Sequence, residues 1–428
     1  MTDKLSDTPD AVKARQRRLR RGSDTEAQAR AFTRRVSLQS MISTPLLEAL
    51  ADSGGHARPI DVYDRVADEL SVDLSARAET RTSADGQRTN VFQQQVRWAR
   101  QSLVAEGLIA GQRGRWELTD AAYAKLGRIR RGHAVLVYRT DDGIALWAHA
   151  EDAAAHIEEG SVKLLLTSPP YPVVKRAYGK FTVPEWLEWM HRLMGIWKGL
   201  LAEDGTIAVN LMDVFVGGTP MLSPYIERFT LAAIDDVGLN LAGKMFWHSP
   251  TKLGSINWSS KAKVQPKNSV EHLLLFSKNA RPSWDITRME RGEYVGKERV
   301  RHGRSRRPSG YDIDDAAFAR GPDGPLPGNL IVAPGAPGND NYSRRCREAG
   351  LSAHPARYPE KLPRQVILMT TEKGDTVYDP MAGSNTTGMV ASALGRRYIS
   401  SDPMLPYVEG SAFRFDHRPD FRRFDVAS

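Results

Sequence analysis

The chain has one cysteine, Cys346, among 428 residues. A lone thiol cannot close an internal disulfide, which excludes a disulfide-stapled scaffold and fits a reducing compartment. Long apolar runs are also missing, and nothing approaches the roughly 20 residues of a membrane-spanning helix. The opening decapeptide MTDKLSDTPD is polar and lacks the apolar stretch of a secretory leader. The expectation is a cytoplasmic protein. Acid is scarcer than base: 51 Asp and Glu against 60 Lys and Arg leave a net charge of +9. That excess is moderate and suits contact with a polyanion. The length is too great for one ordinary core, so two or three domains are expected.

Residues 1–35 hold Lys13, Arg15, Arg17, Arg18, Arg20 and Arg21 with few large apolar side chains, and read as a basic disordered tail. Between 36 and 130 the pattern changes. Leu46, Leu47 and Leu50 open a helix. Phe92, Val96, Ala99 and Leu103 recur at helical spacing, and Gly107 is placed to end that helix. "LIAGQRGRWELTD" then predicts two short strands around a Gly-Gln-Arg-Gly turn, with Thr119 or Asp120 capping another helix. Helices followed by a short basic hairpin suggest a winged helix, for DNA contact or for docking.

From 135 to the end, strands predicted at 143–148, 162–167, 205–211, 243–248, 270–277, 375–379 and 397–401 alternate with helices at 183–202, 222–236, 360–372 and 386–395. Such alternation predicts an α/β sheet with helices on both faces. Residues 279–350 are rich in Gly, Pro and Arg, break the pattern and read as an insertion.

Two stretches carry chemistry. "LLLTSPPY" is a strand that stops in Ser168-Pro169-Pro170-Tyr171. In open α/β sheets ligands bind beyond the carboxyl ends of strands. Proline fixes φ and donates no hydrogen bond, so this turn is stiff and its carbonyls can accept from a ligand. With the Ser168 hydroxyl and the Tyr171 ring it could grip an NH2 group on a planar ring, such as a nucleobase drawn out of a duplex. The second stretch is "DTVYDPMAGSNTTGMVASALGRRYISSD", read as strand, tight loop, helix and strand. Asp379 ends the first strand. Pro380, Met381, Ala382, Gly383 and Ser384 form the loop. Asn385 tolerates a left-handed backbone, Thr386 or Thr387 opens the helix, and Asp402 ends the second strand. No lysine follows the loop, which disfavours a nucleoside triphosphate. An acid for an ammonium group and a second acid for ribose hydroxyls suit S-adenosylmethionine.

Together these stretches resemble the amino-methyltransferases of DNA. Thr167–Tyr171 matches their T-S-P-P-Y, and "DPMAGSNTT" matches the cofactor loop written D-P-F-x-G-S-G-T-T, with Met381 for Phe and Asn385 for Gly. "HPARYPEKLP" at 354–363 matches H-P-A-x-F-P-x-x-L-P, with Tyr358 for Phe, and "YVEGSAFRF" fits the family's last helix. The resemblance implies a Rossmann-like S-adenosylmethionine-dependent fold, with His354, Pro355 and Tyr358 near the methionine part of the cofactor. It implies Asp152, with Glu151 as rival, as the acid that receives the adenine amine. The catalytic turn precedes the cofactor loop, which is similar to the permuted β arrangement of the family. The intervening insertion is then the target-recognition region. Residues 36–130 resemble the winged-helix domain of Mrr-type restriction proteins through "VFQQQVRWARQSLVAEGLI" and "RGRWELTDAAYAKLG".

The partner so implied is double-stranded DNA, with room for a cognate restriction endonuclease. The oligomeric state is open. Association with the nucleoid follows from the DNA substrate. Candidate DNA contacts are Arg97, Arg113 and Arg115 in the first domain, Lys175, Arg176 and Lys180 after the catalytic turn, Lys252 in a second basic loop, and Arg299, Arg301, Arg304, Arg306 and Arg307 in the insertion. Arginine can bridge a guanine edge or hold a phosphate. Cys346 lacks a preceding proline and lies far from the turn, so C5-cytosine chemistry is excluded. Ser168 as first residue of the turn is typical of N4-cytosine enzymes of the family, with N6-adenine as the alternative. The amine chemistry calls for no metal. A restriction nuclease would need clustered carboxylates and a lysine, which the sequence does not offer. A DNA-binding regulator or restriction component with an inactive methyltransferase fold is the remaining rival.

Overall fold

The computed structural model describes residues 41–82, 86–111, 114–174, 181–291 and 325–426. The tail 1–35, Arg113, Lys175, Arg176, Lys180, Arg299, Arg301, Arg304, Arg306 and Arg307 lie outside the described residues. The chain divides into two compact units, with the break between Leu126 and Gly127.

The first unit is mostly helical. Residues 41–52 form a helix whose Ile42, Leu46, Leu47 and Leu50 are buried. Pro59–Glu69 begins with proline in its first turn, where the missing N–H is not needed. Val91–Ala105 carries the expected stripe, with Phe92, Val96, Ala99 and Leu103 inward, and Asn90 caps it by accepting from the Gln93 amide. The expected strand pair around the Gly-Gln-Arg-Gly turn is only partly formed. Ile109 bridges Leu118, while Trp116–Glu117 pairs with His56–Ala57. A second pair, Thr80–Thr82 with Arg88–Asn90, was not expected.

The second unit is built on one sheet, which has ten strands among the described residues. In chain order these are β1 (Ala134–Thr140), β2 (Gly143–Ala148), β3 (Val162–Thr167), β4 (Leu201–Leu211), β5 (Asn240–His248), β6 (Val270–Ser277), β7 (Leu330–Val332), β8 (Thr376–Asp379), β9 (Arg397–Asp402) and β10 (Arg422–Arg423). Their spatial order is β7-β5-β6-β4-β3-β8-β9-β2-β1-β10. The five central strands, β4 to β2, run parallel, so their carboxyl ends share one edge. The chain leaves β3 outward to β4 and leaves β8 outward to β9 in the other direction. Between β3 and β8 lies the point where the winding reverses, the place where α/β sheets open a crevice.

Both faces of the sheet are covered, and the strands show it residue by residue. In β3, Leu165 joins one core while Leu164 and Leu166 join the other; Val162, before an irregularity in the register, also joins the first. In β6, Leu274 and Phe276 face the first and Leu273 and Leu275 the second. A period of two with both sides apolar is what a doubly covered strand requires. The first face is packed by α1 (Val183–Leu200), which starts with a capping box between Thr182 and Glu185 and buries Trp186, Met190, Leu193, Met194 and Trp197. The second is packed by α3 (Lys361–Thr370) and α4 (Thr386–Ala393).

The reading of 279–350 as a separate insertion needs correction at both ends. Met289 and Ile331 are buried in the second core, and β7 pairs with β5. Helix α2 (Asn341–Glu348) buries Tyr342 and Cys346, which are four residues apart and so on one face. Of 279–350, residues 292–324 lie outside the described residues. No described helix is long and apolar enough to cross a membrane.

Candidate active site

Register places the two motifs side by side. Leu164 pairs with Val377 and Leu165 with Tyr378, so the chain emerges from β3 as Ser168 and from β8 as Asp379 on neighbouring strands. Strands in a sheet are about 4.8 Å apart. A cleft of about 930 Å³ opens here, lined by Ser168, Tyr171, Asn210 and Glu271 on one wall and by His354, Pro355 and Tyr358 on the other.

The turn after β3 is held from below. The indole of Trp186, fully buried on α1, donates to the Pro170 carbonyl at 2.7 Å. That carbonyl is therefore already engaged. The Tyr171 hydroxyl lies 3.3 Å from Ser168 Oγ and donates to Glu271 Oε2 at 2.9 Å. Asn210, at the end of β4, donates from Nδ2 to Glu271 at 2.6 Å and lies 3.4 Å from Ser168 Oγ. Its Oδ1 is buried with no partner among the described residues. Burial, and next the charge of Glu271, push the Tyr171 phenol well above its ordinary range, so it stays a donor.

Lys252, expected to reach DNA from a basic loop, lines the same cleft and donates from Nζ to Glu271 Oε1 at 2.7 Å, with its side chain 18% exposed. The turn after β3 thus rests on a group of Tyr171, Asn210, Glu271 and Lys252. A basic loop in sequence gives no hint that one lysine will turn inward toward a single acid on an apolar strand.

The loop after β8 is pinned by both strands. Pro380 O accepts from Ser401 Oγ at 3.1 Å, and the Ala382 amide donates to Ser401 O at 2.9 Å. Asp402 accepts from the Gly383 amide at 3.0 Å and from the Met404 amide at 2.9 Å. Met381 packs against the first core. Asn385 adopts the left-handed backbone expected of it, with φ 53° and ψ 43°. Its Oδ1 caps α4 by accepting from the Gly388 amide at 3.0 Å, while Nδ2 donates to Tyr138 and Ser400, each at 2.9 Å. Arg414, from the last motif, donates from Nε to Ser384 O at 2.7 Å and lies 3.4 Å from Thr386 Oγ1.

Asp379 is 2% exposed. It accepts from Thr387 Oγ1 at 2.6 Å, Tyr358 OH at 3.1 Å and the Met381 amide at 3.2 Å. Burial raises its pKa against the pull of these donors. Among the described residues no basic side chain forms an ion pair with it. A buried carboxylate with hydroxyl and amide donors but no cation fits an ammonium-bearing cofactor. Tyr358 OH also bonds Thr387 Oγ1, so the second wall of the cleft runs directly to Asp379.

The acids after β2 stand on the same edge. Asp152 accepts from the Gly132 amide at 2.9 Å, whereas Glu151 accepts from the Trp189 indole at 3.0 Å and lies 3.5 Å from Arg131. Arg97 is exposed on Val91–Ala105, and Arg115 is 53% exposed with Glu117 3.8 Å away. Cys346 is fully buried, and burial pushes its thiol up, which suits packing and not nucleophilic attack.

Comparison with known proteins gives the family. A family model described as DNA methylase matches residues 162–413, and one described as Mrr N-terminal domain matches 40–127. The type II methyltransferase M.PvuII of Proteus hauseri is 34% identical over 286 residues, which cover 65% of this chain and 85% of that protein. M.XycI of Xanthomonas campestris pv. cyanopsidis is 26% identical over 294 residues, covering 60% and 82%. A solved structure titled PvuII DNA methyltransferase (cytosine-N4-specific) superposes with a TM-score of 0.53 at 32% identity, covering 64% of this chain and 87% of that one. The chain belongs to the DNA methylase family, on a Rossmann-like sheet with an Mrr N-terminal domain ahead of it.

Asn210 and Glu271 escaped the sequence reading. Each is a polar residue at one end of a largely apolar strand, in "TIAVNL" and "VEHLLLFS". A polar side chain in such a run must find a buried partner, and that was the available signal.

Proposed function

We propose that the protein transfers a methyl group from S-adenosylmethionine to the exocyclic N4 of a flipped cytosine in double-stranded DNA, at a specific site. The observation that carries this reading is the adjacency of Ser168 and Asp379 across the reversal point of the sheet. Bound S-adenosylmethionine supplies an electrophilic methyl carbon. Asp379 holds the ammonium end, His354, Pro355 and Tyr358 flank it, Asp402 takes the ribose, and Glu151 or Asp152 takes the adenine amine. On the other side Ser168 Oγ and the Pro169 carbonyl accept the two N–H groups of the cytosine amine. The Pro170 carbonyl is already used by Trp186, which leaves Pro169 for this task. Accepting both hydrogens favours a tetrahedral nitrogen and aims its lone pair at the methyl carbon. The face of Tyr171 offsets part of the few kcal/mol that flipping costs. Positioning of this kind can supply roughly 7–11 kcal/mol of the barrier.

Serine at position 168 and the cytosine-N4-specific title of the superposed structure both favour cytosine over adenine. The named relatives are type II methyltransferases, and we place this chain in the same restriction–modification setting, with a cognate endonuclease as partner. The first unit adds a DNA contact through Val91–Ala105, where Arg97 is exposed.

Incubation of the purified protein with labelled S-adenosylmethionine and double-stranded DNA, followed by nucleoside mass spectrometry, tests this. N4-methylcytosine is expected; N6-methyladenine would overturn the base assignment. Ser168→Ala should lower single-turnover methylation by about 100-fold with cofactor affinity retained.

A further inference from the structure

An acid within reach of the turn's tyrosine stands two strands away, on β6 beyond β4. Glu271 is 7% exposed, the second residue of β6. Its Oε2 accepts from Tyr171 OH at 2.9 Å and from Asn210 Nδ2 at 2.6 Å, and its Oε1 accepts from Lys252 Nζ at 2.7 Å. Tyr171 OH in turn lies 3.3 Å from Ser168 Oγ, and either oxygen of that pair can donate. A line of two hydroxyls therefore connects the residue assigned to the substrate amine with a buried carboxylate.

We propose that Glu271 is the terminal acceptor of the proton lost by the methylated amine, reached through Ser168 and Tyr171. This rests on the function proposed above and assigns the destination of its leaving proton. Glu271 acts through Tyr171 and does not touch the base. Once nitrogen has gained its methyl group it carries four bonds and a positive charge. One N–H bond then breaks, and its electron pair stays on nitrogen. The proton goes to Ser168 Oγ as the Ser168 proton moves to the Tyr171 oxygen and the Tyr171 proton moves to Glu271 Oε2. Both hydroxyls end as they began. One N–H has been exchanged for one O–H on Glu271, and no further reactant is needed.

The arrangement suits that task in three ways. An alkylated, positively charged amino nitrogen on a pyrimidine is far more acidic than a carboxylic acid, so even a carboxylate paired with Lys252 accepts the proton downhill. Tyr171 is held as a neutral phenol by burial and by the Glu271 charge, so it relays a proton instead of ionising. Asn210 keeps Glu271, Tyr171 and Ser168 in one group, at 2.6, 3.3 and 3.4 Å from its Nδ2.

The test uses the full chain, cofactor and a double-stranded substrate under single-turnover conditions. Glu271→Gln and Tyr171→Phe should each slow methylation by about 100-fold or more, the range of a lost proton acceptor. The double variant should be no slower than the worse single variant, because both remove the same path. A solvent deuterium isotope effect above about 2 should appear in the variants as proton loss becomes limiting. Cofactor affinity and the 2-aminopurine signal of a flipped base should stay within about 3-fold of the parent protein. A Glu271→Gln rate within about 3-fold of the parent, or losses that multiply in the double variant, would overturn the proposal. If Glu271→Gln lost cofactor binding, Tyr171→Phe decides by the same thresholds, since it leaves Glu271 and Lys252 paired. A parent protein that forms no methylcytosine would sink the function itself; methylation unaffected in Glu271→Gln would sink only the relay.

Discussion

The ring of His354 lies directly against the α-carbon of Gly383. A Cβ built on Gly383 would sit 2.9 Å from His354 Cδ2 and Cγ, and the glycine already has a positive φ of 49°. The segment "HPARYP" is thereby seated on the loop after β8. Gly383→Ala meets two penalties: a left-handed backbone, about 1–2 kcal/mol, and displacement of the imidazole. Calorimetry should show cofactor affinity at least about 10-fold weaker, equivalent to about 1.4 kcal/mol. Adding His354→Ala should recover part of that loss by removing the clash. Equal affinity for Gly383→Ala and the parent would separate this contact from the cofactor.

Asn385 stands where the resembling motif has glycine, and its three hydrogen bonds explain how a side chain is accommodated there. Asn385→Gly keeps the backbone angle but loses all three side-chain bonds, at about 1 kcal/mol each for those to Tyr138 and Ser400 and a few tenths for the cap, where glycine is tolerated. Asn385→Ala loses the same three bonds, is a poorer cap than glycine, and adds left-handed strain of about 1–2 kcal/mol. Urea denaturation should therefore rank the parent above Asn385→Gly and that above Asn385→Ala. A reversal of the last two would mean that glycine's flexibility outweighs the backbone angle.

The legible part of this molecule was what period and loop chemistry control. The apolar run ending in Thr167 read as a buried strand, and the helices were placed within a few residues because they fill the intervals between apolar strands. The left-handed Asn385 was readable for a local reason. Three features were not local and were missed. β1 pairs with β2 as a hairpin, so it adds a strand without adding a motif. Ile331 and Tyr342 belong to the core although their surroundings are rich in glycine and proline. The inward turn of Lys252 is set by Glu271, 19 residues further on and on another strand, which no pattern around either residue encodes.

Asp379 ties stability to pH in a way that opposes the ammonium-holding role proposed for it. Burial raises its pKa above the ordinary 3.8. For a carboxyl whose folded pKa is raised, the stabilising contribution is complete below the unfolded value and is lost as pH climbs through the folded one. At neutral pH the buried carboxylate therefore weakens the cofactor-free fold, and an arriving ammonium group reverses that penalty. Asp379→Asn removes the charge and keeps an oxygen for the Met381 amide, while the Thr387 and Tyr358 hydroxyls can turn to accept from the new amide. Its Tm without cofactor at pH 7 should equal or exceed that of the parent, with a shallower decline as pH rises above the ordinary 3.8. Saturating cofactor should raise the stability of the parent, by about 2.7 kcal/mol at a concentration 100 times Kd, and leave Asp379→Asn unmoved. A variant that melts several degrees lower and still responds to cofactor would show that Asp379 holds the loop and not the ligand.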